Sequence, residues 1–200
     1  MVLAAVTVAV LATAAGACRS SRAAGPSHTR VAMVGDSLAV LGGTQFTDRL
    51  DQAGWKVTID AFPGVTTLEQ MPVLAKAAKA NNDPMVVELG TNDARAIERG
   101  DNTADRERTE VNAALDLIGS RCVVWVNADS NPTRPGGSGG AVVDAILATQ
   151  AQQRPNLHIA DLHGMLAAHP EYLVSDEVHL TPDGYRALGD LIATELRNCR

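Results

Sequence analysis

The chain has 200 residues, is 46% hydrophobic and only 3% aromatic, and carries a formal net charge of −6. That length fits one sizeable core rather than several domains. The acidic balance offers no basic face for nucleic acid, and so few aromatic rings argue against a sugar-stacking platform or a base-stacking surface.

Residues 1–17 (MVLAAVTVAVLATAAGA) are uncharged and mostly Ala, Val and Leu, the composition of the apolar part of an export signal. The small residues Ala15, Gly16 and Ala17 precede Cys18, which points to a lipoprotein signal with Cys18 as the lipidated first residue. A plain cleaved signal and an uncleaved anchor compete with that reading. No Lys or Arg precedes the apolar run, and Ala15 stands where a lipobox more often has Leu. The run is also slightly short of the ~20 apolar residues of a spanning helix. Residues 18–28 read as a polar tether, leaving residues 29–200 as the folded domain.

From there strands and helices alternate. Residues 30–35 (RVAMVG) form a short apolar run suited to a buried parallel strand, followed by a helix over 38–53 that stops at Gly54. The β-branched KVTIDA at 56–61 reads as a second strand. Residues 67–80 have helical spacing, with Pro72 delaying the regular part. MVVEL at 85–89 is the third strand, 104–119 a helix, and RCVVWVN at 121–127 the fourth strand with Trp125 in the core. The Pro- and Gly-rich stretch 130–140 reads as a flexible loop outside the core. A helix over 141–154, a short strand at 157–160 and a closing helix over 182–198 complete the chain. Such alternation implies right-handed crossovers and a three-layer α/β/α domain around a central parallel five-stranded sheet.

Setting Cys18 aside leaves Cys122 and Cys199, an even remainder that invites one disulfide in an exported protein; two reduced cysteines are the alternative. There is no CxxC or His/Cys cluster, so neither a metal nor a cofactor is expected.

Three strings carry chemistry: Gly35-Asp36-Ser37, Gly90-Thr91-Asn92-Asp93 and Asp176-Glu177-Val178-His179. In an open parallel sheet, ligands bind beyond the carboxyl ends of the strands. Ser37, Gly64, Asn92 and Asn127 follow the first four strands, and the loop with His179 precedes the last helix, so all can meet at one edge. A serine hydroxyl needs a base to become a nucleophile, and a base needs an orienting partner. Ser37, His179 and Asp176 fit these roles. The Ser37 backbone N–H, the Gly64 backbone N–H and the Asn92 side-chain amide are candidate oxyanion donors. Each string alone also reads as an ordinary turn or helix entry; it is their joint order that points to a site. Asp36 and Asp93 read as structural, and His28, His158, His163 and His169 as bystanders. Asn127 and Asp129 are candidates for the substrate pocket, with loop capping the competing role. Glu88 fits either a buried strand carboxylate or a group facing the loop edge.

On these motifs the chain resembles the GDSL or SGNH hydrolases. GDSL stands at Gly35–Leu38, GTND at Gly90–Asp93 and the late Asp-x-x-His at Asp176–His179, with Ser37, Gly64, Asn92 and His179 in the four named positions. The block around Gly64 matches most loosely. The resemblance implies a flavodoxin-like fold, no metal, and hydrolysis of esters, thioesters or carbohydrate acyl groups; some relatives transfer the acyl group instead. The expectation is a monomeric, exported serine esterase of the cell envelope acting on short acyl chains. Acyl transfer and a non-catalytic binding module on the same fold are the rival readings.

Overall fold

The computed structural model describes residues 29–80 and 83–199. The expected signal, the tether and Cys18 lie outside the described residues. Five parallel strands form the sheet: β1 (Thr29–Gly35), β2 (Trp55–Ala61), β3 (Met85–Glu88), β4 (Val123–Val126) and β5 (Leu157–Ala160), in the order β2-β1-β3-β4-β5. This is the flavodoxin-like order, in which the chain winds in opposite directions on either side of the β1/β3 junction. The crevice at that junction lies beyond Gly35 and Glu88, which are register partners.

Side chains that alternate along each strand divide the core between two faces. Val31 and Met33 of β1, with Val86, Val124 and Val126, pack against α1 (Ser37–Gln52) and α7 (Pro182–Glu195). Val34, Met85, Val87, Val123 and Trp125 pack against α2 (Met71–Ala80), α4 (Ala104–Ile118) and α5 (Gly137–Gln153) on the other face. Strands β3 and β4 are buried at every position, which is why they read as unbroken apolar runs. Trp125 lies in this core and donates its indole N–H to the Leu89 carbonyl at 2.9 Å. Among the described residues no helix is long and apolar enough to cross a membrane.

Two stretches differ from the sequence expectation. Residues 91–99 form a helix, α3 (Thr91–Arg99), so Asn92 and Asp93 sit in a first helical turn rather than a free loop. Gly90 makes the sharp entry at φ +129°, a conformation L side chains rarely adopt. The stretch 130–140 is not all flexible loop: Gly137, Gly139 and Gly140 are buried in the first turn of α5. A β-carbon on Gly139 would sit 1.9 Å from the Ala94 carbonyl oxygen, and one on Gly140 2.2 Å from that of Asp129. Glycine there lets α5 approach the backbone of α3 and of the β4 loop, which fixes the wall beside Asn92.

Cys122 and Cys199 form a disulfide with Cα atoms 5.5 Å apart, closing a separation of 77 residues. It ties the end of the 3-10 turn after α7 (Leu196–Cys199) to the start of β4. A loop of that length contributes on the order of 4 kcal/mol through the unfolded chain. The staple lies at the amino edge of the sheet, opposite Ser37. Replacing both cysteines with Ser is therefore expected to lower the melting temperature by roughly 10 °C or more while leaving activity at room temperature largely intact. Parallel calorimetry and ester-cleavage assays check this.

Candidate active site

Ser37 opens α1 directly after β1 and a single linking residue. That residue, Asp36, is the N-cap, and its Oδ1 accepts from the Leu38 N–H at 2.9 Å. The cap fixes the turn, so Ser37 projects at the helix mouth, where the helix dipole favours negative charge. His179 arrives from the late loop, with its Nε2 3.0 Å from Ser37 Oγ across 142 residues of sequence. Its Nδ1 lies 2.7 Å from Asp176 Oδ2. A carboxylate only accepts, so Nδ1–H donates to Asp176 and Nε2 is left to accept from the Ser37 hydroxyl.

The late loop is held at several points. Asp176 Oδ1 accepts from the N–H groups of Val178 and His179, both at 2.9 Å. Val174 N–H donates to the His179 carbonyl at 2.9 Å, Thr181 N–H donates to the Tyr172 carbonyl at 2.7 Å, and Leu173 bridges Leu180. Thr181 then caps α7, with Pro182 in its first turn. Glu177 sits at φ +56°, the left-handed region that is costly for a side chain of its type. Asp176 is mostly exposed, yet its hydrogen bonds to His179 and Val178 hold its carboxyl down at about 2. It is therefore ionised throughout the neutral range and able to orient the imidazole.

Asn92 belongs to the same edge. Its Nδ2 donates to Asp36 Oδ2 at 2.9 Å and to the Val65 carbonyl at 3.0 Å, joining the GDS turn to the segment after Gly64. Gly64 itself is exposed at φ +76°. The buried Asp93 accepts from both the N–H and the hydroxyl of Thr67 at 3.0–3.1 Å, anchoring that segment from behind. Asn127, by contrast, spends its side chain tying the end of β4 to its neighbours. It donates to Asp161 at 3.0 Å and Asp144 at 3.4 Å, and accepts from His163 N–H at 3.3 Å.

The family model for the GDSL-like lipase/acylhydrolase family matches residues 21–187. The chain belongs to this family. It is 29% identical to the Staphylococcus aureus O-acetyltransferase OatA over 163 residues, which is 80% of this chain and 24% of that protein. It thus spans about a quarter of the length of the curated relatives it matches. Among solved structures, the C-terminal catalytic domain of Streptococcus pneumoniae peptidoglycan O-acetyltransferase A superposes with a TM-score of 0.70 at 19% identity, covering 86% of this chain and 94% of that one. A Clostridium thermocellum family 3 carbohydrate esterase superposes with a TM-score of 0.66 at 14% identity, covering 85% and 96%. At such identities the structural likeness establishes the shared fold.

Within this GDSL-family fold, a cavity of about 20 Å³ lies beside the motif residues. Leu38, Thr91 and Val178 line it, each next in the chain to Ser37, Asn92 or His179, together with Ala94, Ala128 and Leu162. That is room for about one water-sized group. A larger groove of about 230 Å³ runs between α2 and the β1–β2 strip, lined by Ala32, Val34, Thr58, Lys76 and Ala77. It holds none of the motif residues.

Two sets of side chains have the spacing of metal ligands among the described residues. In Cys122, His158 and Cys199, both sulfurs are committed to the disulfide. In Asp93, Glu107 and Glu110, burial pushes Glu107 up to about 8, with the charges of Asp93 and Glu110 adding to the shift. Sequence reading did not single out Thr67; it did name Asp129, which lines the small cavity with Arg134 2.9 Å and His163 3.0 Å from its carboxylate, but not these two partners. Asp176→Asn is expected to lower kcat by about 100-fold or more with little change in KM, because the amide can donate to Nδ1 and favour the wrong tautomer. Steady-state kinetics on an acetyl ester checks this; wild-type turnover would mean that another group orients His179.

Proposed function

We propose that the protein is an exported serine esterase that removes short acyl groups, acetyl foremost, from esters on a cell-envelope glycan. The observation that carries the reading is the relay Ser37 Oγ to His179 Nε2 at 3.0 Å and His179 Nδ1 to Asp176 at 2.7 Å. As Ser37 Oγ bonds to the acyl carbon, its proton passes to Nε2, and Asp176 stabilises the imidazolium. The carbonyl oxygen becomes an oxyanion facing the Ser37 N–H, the Gly64 N–H and the Asn92 amide. Both Asn92 N–H groups are engaged at rest, so the oxyanion draws one of them into a shared bond. Collapse breaks the ester C–O bond, and Nε2–H gives its proton to the departing alcohol. Water, deprotonated by His179, then releases the acid from the acyl-enzyme.

The names of the curated relatives, O-acetyltransferases, support acetyl as the acyl group. The curated relatives support an envelope substrate, being named O-acetyltransferases. We read residues 1–17 as the export signal, residues 18–28 as a tether lipidated at Cys18, and residues 29–200 as a monomeric catalytic domain. Those relatives also favour a second reading, acetyl transfer to a glycan hydroxyl at the same serine.

The test is to supply an acetyl ester with and without a soluble chitooligosaccharide acceptor and analyse products by mass spectrometry. Free acetate in both conditions is the expected result. Acetylated acceptor as the main product would favour transfer, and no consumption of ester by folded protein would favour a binding module.

A further inference from the structure

Beneath the Ser37 turn lies a second carboxyl group that the proposed reaction does not use. Glu88 ends β3 on the α1 face of the sheet and is 2% exposed, and Asp36 beside it is fully buried. Glu88 Oε2 accepts from the Ala39 N–H at 3.0 Å and from the Asp36 N–H at 3.3 Å. It therefore caps the same helix start that Asp36 caps through Leu38. The two carboxyl groups meet at this helix start, Glu88 on the Asp36 N–H and Asp36 on the Leu38 N–H, and Asp36 also accepts from the Asn92 amide. The void is closed: a β-carbon on Gly35 would already lie 3.1 Å from Glu88 Oε2.

Two buried carboxylates in contact repel strongly and desolvate poorly, so a buried pair of this kind keeps one proton between its members. We propose that Glu88 is a positioning residue: it donates a shared proton to Asp36, keeping the pair a monoanion, and thereby holds the Ser37 N–H and the Asn92 amide in register as oxyanion donors. The inference rests on the esterase reading above. Burial and the neighbouring Asp36 charge raise Glu88 well above the usual carboxylate range. Asp36 is raised by burial to about 6, with the Leu38 N–H, Glu88, Asn92 and His179 all pulling the other way. Both are raised, as expected of a buried pair that keeps one proton between its members.

The other groups facing the pair are known. His179 acts on Asp36 from the late loop, and Tyr185 of α7 feels both carboxyls. Gln70 donates to the Gly35 carbonyl at 2.9 Å from the start of α2. Neither Tyr185 nor Gln70 brings a cation to the pair. As pH rises and the proton leaves to solvent, two like charges repel, and Asp36, the acceptor that holds the Asn92 amide, is pushed out of register.

Two readouts test this on the whole protein. The first is infrared absorption of protonated carboxyl groups at neutral pH in wild type, Glu88→Gln and Glu88→Ala. The second is kcat and KM for an acetyl ester from about pH 6 to about pH 10. A band present in wild type and missing from Glu88→Gln is expected, with the Glu107 contribution unchanged in both. Glu88→Gln keeps the donor but has no proton to lose. Its kcat should stay within about twofold of wild type at neutral pH and fall roughly tenfold less at the alkaline end. Glu88→Ala should lower kcat by roughly tenfold or more with KM little changed. Superimposable pH profiles for wild type and Glu88→Gln, or no lost carboxyl band, would overturn the proposal. If wild type cleaves no ester, the infrared band alone decides whether the shared proton exists, and the failure falls on the esterase reading.

Discussion

Ser37→Ala is expected to reduce ester cleavage to background, a loss on the order of 10⁴-fold or more, with the fold intact. The side chain removed bonds His179 Nε2, and position 37 is the first residue of α1, where Ala is well tolerated. The N-cap bond from Asp36 to the Leu38 N–H does not involve the hydroxyl. Loss of turnover with an unchanged melting temperature and circular dichroism spectrum is therefore the predicted pattern. His179→Ala should be about as severe, and the double variant no worse than either alone, since nucleophile and base act as a unit. Turnover by Ser37→Ala well above background would remove Ser37 from the mechanism.

The second large effect is on stability, and its sign follows from the buried acids. Burial raises Asp36, Asp93 and Asp144 to about 6 and Glu107 to about 8, and raises Glu88 as well. An acid whose folded pKa lies above its unfolded one favours the folded state below the unfolded value, and that advantage is lost as pH climbs through the folded value. Asp176, held at about 2, works in the opposite sense only below its unfolded value of 3.8, and it is too exposed to weigh heavily. The protein should therefore be most stable in mildly acidic solution and lose a few kcal/mol between about pH 5 and about pH 9. Glu107→Gln keeps the Asn102 contact through its carbonyl oxygen and has no proton to lose. It should raise the melting temperature at about pH 9 while changing it little at about pH 5. Denaturant titrations across that range check both statements; stability that rises toward alkaline pH would contradict them.

Much of the fold was legible because its signals are local. Strands β3 and β4 are buried on both faces, so they appear as unbroken apolar runs, and Gly54 and Gly119 mark helix ends in the sequence. Ser37 and Asn92 open helices that follow strands, Asp176 and His179 lie on the loop before the last helix, and the parallel topology then brings them to one edge. The features that escaped depend on packing. Helix α3 has few large apolar residues, and its place is fixed by burial of Ala94 and Ala96 and by the turn at Gly90. The buried start of α5 looks like a flexible Gly-rich loop until the backbones of α3 and the β4 loop are seen pressed against it. Glu88 was ambiguous for a similar reason. Nothing in MVVEL tells which face its fourth residue takes, and its partner Asp36 lies 52 residues away in the chain.

The most direct test of the central claim is covalent labelling of the purified protein with a fluorophosphonate, followed by mass-spectrometric mapping of the modified peptide. An activated serine bonds to phosphorus with loss of fluoride, and the account predicts a single adduct at Ser37 that is absent from His179→Ala. A folded protein that stays unlabelled, or one labelled at another residue, would contradict it.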